Sequence, residues 1–100
     1  MSVIVIGRFK LDTTIFRRLI SEREADLKEI SETAKRAGAK HHQFGVGDGE
    51  IIIIDEWTTA EAFQKFFTSQ PKIDEMLTEA KLQGAPDVTV FEVVDTVDKF

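Results

Sequence analysis

The chain has no cysteine and no tyrosine, and its 100 residues include only two prolines and one tryptophan. Without cysteine there can be no disulfide framework, thiolate nucleophile, iron–sulfur cluster or cysteine-ligated zinc. Long apolar runs are also missing. Val3-Ile4-Val5-Ile6 and Ile51-Ile52-Ile53-Ile54 fall far short of the ~20 residues a helix needs to cross a bilayer, so no spanning helix and no membrane partner are expected. Positive charge is scarce: 13 basic residues stand against 18 acidic ones, for a net charge of -5, with no basic run longer than Arg17-Arg18. Such a surface repels a phosphate backbone, so nucleic acid is not expected as a partner unless the positive residues cluster in three dimensions. Met1-Ser2-Val3 has neither the charged segment nor the cleavage site of a signal peptide, so a cytoplasmic protein is expected.

A chain of this length makes one domain, residues 1–100, and buries about two-thirds of its extended surface on folding. Val3 to Phe9 is β-branched and predicts a first strand. Asp12 or Thr13 can cap a helix running from about Thr14 to Ala37, with Phe16, Leu19, Ile20, Arg23, Leu27, Ile30, Ala34 and Ala37 along one side and Gly38 as its stop. The charges from Glu22 to Glu32, Lys28 among them, read as its solvated face. Lys40 to Val46 predicts a weaker second strand, and Glu50 to Trp57 a strongly apolar third. Gly47-Asp48-Gly49 between them is a tight reversal. Thr58 and Glu61 resemble a capping box for a helix that buries Ala62, Phe63, Phe66 and Phe67. Pro71 opens a second short helix carrying Ile73, Met76, Leu77 and Ala80. Val88 to Val97 predicts the fourth strand, with 95–100 as a tail or an arm reaching a partner chain.

The order β-α-β-β-α-β implies an α+β, ferredoxin-like sandwich: a four-stranded antiparallel sheet with its helices on one face. Three strands nevertheless carry apolar residues of both parities. Pairing two sheets face to face would cover the second apolar face, so a homodimer is expected.

Few residues carry chemistry. Adjacent side chains on a strand point to opposite faces, so His41 and His42 cannot easily grip one ion, and no metal site is expected. Gly45-Val46-Gly47-Asp48-Gly49 joins two strands, where a phosphate-binding loop would join a strand to a helix. Asp55 and Trp57 share a face with Ile51 and Ile53. An indole offers a flat wall for an aromatic ligand, or it simply fills core volume. A buried Asp55 needs a partner, for which Arg8, Lys10, His41 and His42 are available. Counting outward from Asp48 places His41 beside Asp55 and turns His42 toward the open face. A bulge in Gly45–Gly49 would exchange the two histidines.

The element order, the Asp55-x-Trp57 pattern and the following Ala60-Glu61-Ala62-Phe63 resemble the antibiotic biosynthesis monooxygenase superfamily, whose members are dimeric α/β-barrel proteins. The resemblance spans nearly the whole chain. It implies a cofactor-independent monooxygenase acting on an aromatic or quinol-type small molecule, with no cofactor and no metal. The alternative is a non-catalytic, small-ligand-binding or structural homodimer of the same fold. Trp57 matches the tryptophan that walls the cavity in active relatives, and Asp55 stands where glutamate is usual. The haem-degrading branch has an asparagine in its first strand and a histidine on its second helical segment. This chain has Gly7-Arg8 and the histidine-free Phe66-Phe67-Thr68-Ser69-Gln70-Pro71-Lys72 in those places, so haem degradation is not implied. In the oxygenase reading His41 or His42 takes a proton, with Asp55 as its orienter. Arg8 steadies the oxyanion, and Trp57, Phe44, Phe63 and Phe66 form the ligand pocket.

Overall fold

The computed structural model describes residues 2–100. Four strands, β1 (Val3–Lys10), β2 (Ala39–Val46), β3 (Glu50–Trp57) and β4 (Asp87–Glu92), form one antiparallel sheet in the order β2-β3-β1-β4. Four helices, α1 (Thr13–Glu22), α2 (Glu24–Ala37), α3 (Ala60–Thr68) and α4 (Pro71–Glu79), complete the expected α+β, ferredoxin-like arrangement.

Strand parity divides the sheet. Val5, Phe9, Ile51, Ile53, Asp55 and Trp57, all odd-numbered, are buried among the helices. Ile4, Ile6, Ile52 and Ile54 lie on the opposite face and are only half-buried; Phe91, paired with Ile4, is 49% exposed. The helical layer is uneven. Phe16 and Leu19 of α1, Phe63 and Phe66 of α3, and Met76 and Leu77 of α4 are buried, whereas α2 has no buried residue. Full burial of a side chain of this size contributes roughly 1.5–3 kcal/mol, so α1, α3 and α4 are anchored and α2 is held more loosely.

Three boundaries differ from expectation. The long helix is broken at Arg23 (φ -114°, ψ 37°), although Arg23 N–H still reaches the Leu19 carbonyl and Leu27 N–H the Arg23 carbonyl. The bend lets α1 bury Phe16 and Leu19 while α2 packs Leu27, Ile30 and Ala34 only half-buried against the core, and the Arg23 guanidinium pairs with Glu79 of α4. The cap of α3 is Thr59, whose hydroxyl accepts from Ala62 N–H at 3.0 Å, and not Thr58. Thr58 is engaged elsewhere: its N–H donates to Gly38 O at 3.0 Å, and a Cβ on Gly38 (φ 121°) would lie 2.6 Å from its hydroxyl oxygen. The fourth strand ends at Glu92 because its partner there, Val3, begins β1. Val93 N–H makes one last bond to Ser2 O, and Val94, Val97 and Phe100 beyond it are exposed.

Candidate functional site

The β2–β3 hairpin sets the site. Gly47 N–H donates to Glu50 O at 2.8 Å, leaving Asp48-Gly49 as a two-residue loop with Gly49 at φ 70°. The midpoint therefore falls between Asp48 and Gly49, half a residue beyond the point assumed in counting from Asp48. That half-residue brings His42, not His41, opposite Asp55. His41 is displaced to the other face, opposite Glu56. Farther along, a register shift at Lys40 returns Ala39 to the level of Trp57.

His42 Nδ1 lies 2.6 Å from Asp55 Oδ1, and Trp57 Nε1–H donates to Asp55 Oδ2 at 3.1 Å. Asp55 is the buried charged residue of the core, 5% exposed, and both its oxygens are engaged. A carboxylate is acceptor-only, so it selects the imidazole tautomer with hydrogen on Nδ1 and leaves the Nε2 lone pair free to take a proton. The imidazole meets the Phe44 ring edge-on at 4.8 Å, and Phe44 meets Phe16 at 5.3 Å.

This pair lines a cavity of about 630 Å³ between the helices and the sheet, within the range of sites for small organic ligands. Trp57 forms its inner wall with Phe63 and Phe66, at ring distances of 5.8 and 5.3 Å. The His42 side chain is 44% exposed and Phe44 39%, although both lie on the helix-facing side of β2, an edge strand. The cavity accordingly opens between β2 and α2. Gly7 shapes it from beneath: a Cβ there would lie 2.9 Å from both Ile53 Cγ1 and Phe9 Cε1, and both residues line the cavity.

Trp57, Phe44, Phe63, Phe66, His42 and Asp55 thus border one space, and His41, although paired opposite Glu56, also lies along its edge. Arg8 does not. Its neighbours on β1, Gly7 and Phe9, point to the helices, so Arg8 points to the opposite face and holds Glu50 through two hydrogen bonds of 3.1 and 2.9 Å. The hydrogen bond from Arg8 keeps the Glu50 carboxyl below its usual range. An oxyanion in the cavity is out of Arg8's reach. Phe16 and Phe67, which sequence reasoning assigned to the core, and Lys28, which it assigned to solvent, also border the cavity, and so do Ser31 and Lys35, to which it gave no role. The signal available for the last three was their i, i+3, i+7 spacing beside the apolar stripe of α2. Among the described residues no group of three His, Asp or Glu side chains comes together to hold a metal ion, and no helix is long and apolar enough to cross a membrane.

No family model matches the sequence, and no curated protein matches it. Solved structures do. The cofactor-independent oxygenase SnoaB from Streptomyces nogalater superposes with a TM-score of 0.63 at 18% identity, covering 98% of each chain. The ActVA-Orf6 monooxygenase of Streptomyces coelicolor, solved in complex with nanaomycin D, gives a TM-score of 0.68 at 14% identity, over 99% of this chain and 93% of its own. The fold is that of the antibiotic biosynthesis monooxygenases. A further structure described by that name has a TM-score of 0.64 at 12% identity, over 93% of this chain and 99% of its own. In this fold the His42–Asp55–Trp57 cluster borders the cavity between sheet and helices.

Proposed function

We propose that this protein is a cofactor-independent monooxygenase of an aromatic, phenol- or quinol-type small molecule, working as a cytoplasmic homodimer. The observation that carries the reading is an imidazole held by a buried carboxylate at the edge of an apolar, aromatic-walled cavity. The oxygenase names borne by proteins of the same fold support it.

The ring lies against Trp57. His42 Nε2 takes the phenolic proton, and the Asp55 carboxylate stabilises the resulting imidazolium. The electron-rich aryloxide passes one electron to dioxygen, and the superoxide and aryl radical combine at a ring carbon. His42 returns its proton to the peroxide, the ring carbon loses its hydrogen, and water departs to leave a carbonyl. One phenol and one dioxygen thus give one quinone and one water. The apolar walls keep water from the radical pair. The homodimer is supported by the second apolar sheet face, where Ile4, Ile6, Ile52, Ile54 and Phe91 have no covering layer among the described residues.

Dissolved-oxygen uptake with a panel of naphthols and hydroquinones tests the reading, with product mass showing one oxygen gained and two hydrogens lost. His42→Gln is expected to lower the rate by about 100-fold or more, the scale of general acid–base catalysis. His41→Gln should stay near wild type. Binding without oxygen uptake would turn the assignment to a ligand-binding protein, and undiminished uptake by His42→Gln would remove the proposed base.

A further inference from the structure

The charges around the cavity are sorted by sign. The protein as a whole is acidic, at -5, yet its cavity is bordered by Lys28, Lys35 and Lys40 and by a single carboxylate, Asp55, already committed to His42 and Trp57. Helix α2 shows the same division. Two of its acids, Asp26 and Glu29, point toward α4, where they hold Lys72 Nζ at 3.1 and 3.0 Å. Lys28, Ser31 and Lys35 follow one another at i, i+3 and i+7, a spacing that stacks side chains on one helix face, and all three border the cavity. Lys28 forms no ion pair among the described residues, and Lys35 has only an exposed contact of 3.6 Å with Glu32 one turn away. Lys40 is held by the Ser2 hydroxyl. Two ammonium groups and a hydroxyl therefore stand on α2, across the opening from His42 and Phe44 on β2, while the interior behind them is apolar.

We infer that the cavity selects aromatic molecules carrying a carboxylate, held at the opening by Lys28 and Lys35 with the Ser31 hydroxyl between them while the ring lies against Trp57. This rests on the reading of the cavity as an aromatic-ligand site and adds the class of substituent. Long lysine side chains suit the task, because their methylene stems line an apolar wall while the ammonium group stays in water beside the anion. They also supply local positive potential on an acidic molecule, which draws an anionic ligand to this edge. Asp55, deep in the cavity and matched by His42, requires the carboxylate to sit at the opening and the ring to enter first.

Calorimetric titration under nitrogen separates binding from turnover. The probes are 1,4-dihydroxy-2-naphthoate and its methyl ester, which present the same rings with and without the charge. Wild type should bind the acid about five- to tenfold more tightly, the range two partly exposed charge contacts can supply. The preference should shrink at high salt. In Lys28→Gln/Lys35→Gln it should vanish, with ester affinity unchanged. Equal affinity for both probes, equal weakening of both by the double substitution, or binding of neither overturns the inference. Oxygen uptake is read separately with the same two probes. Acid-selective binding with no uptake keeps this inference and removes the oxygenase assignment, whereas equally tight binding and equal turnover of acid and ester do the reverse.

Discussion

Burying a carboxylate costs several kcal/mol unless its oxygens are hydrogen-bonded, and Asp55 meets that condition with one bond to the His42 imidazole and one from the Trp57 indole. The two partners differ in kind. An indole N–H can only donate, whereas either imidazole nitrogen can donate or accept. In Asp55→Asn the amide oxygen must therefore stay with Trp57, which turns the amide NH₂ toward His42 Nδ1. His42 should then move its hydrogen from Nδ1 to Nε2 and lose the free lone pair proposed as the base. Nitrogen-15 NMR of the histidine ring reads this directly, and turnover should fall by about 100-fold or more with the fold intact. Retention of hydrogen on Nδ1 would show that Asp55 does not set the tautomer.

Caps and turns decide where the elements begin and how they register. Thr59→Ala removes the bond to Ala62 N–H and should cost about 1 kcal/mol in urea denaturation. Thr58→Ala, which touches no cap, should stay within about 0.5 kcal/mol. Much of this level was legible in the sequence. The limits of β3, the Gly47–Gly49 reversal, Pro71 at the start of α4 and the order of elements all follow from β-branched runs and turn residues. The break at Arg23 was not legible, since no glycine or proline marks it and the backbone bonds on either side persist. The inward parity of β1 was hidden by apolar residues at all four positions from Val3 to Ile6, and Arg8 was given a cavity role it does not have. Asp55 and Trp57 could be placed on one face by parity alone. The histidine beside them could not, because a half-residue error in locating a hairpin's midpoint exchanges neighbours on opposite faces.

For the molecule as a whole, the second sheet face dominates. Apolar surface of this extent on a small protein is what the proposed two-fold pairing of identical faces would cover. Light scattering on a sizing column should give about twice the chain mass of 11.3 kDa at micromolar concentration. Ile6→Lys/Ile54→Lys, two residues directly paired across β1 and β3, should give monomers with unchanged far-ultraviolet dichroism. A wild-type monomer, or a double variant that still dimerises, would refute the pairing. The opposite side of the sheet is governed by something smaller. Gly7 leaves Ile53 and Phe9 the space in which they stand as cavity walls, and any side chain there collides with both at once. For anyone wishing to re-engineer the pocket for larger or smaller guests, the control point is thus a lone hydrogen atom in the floor, at a residue with no side chain to touch the guest.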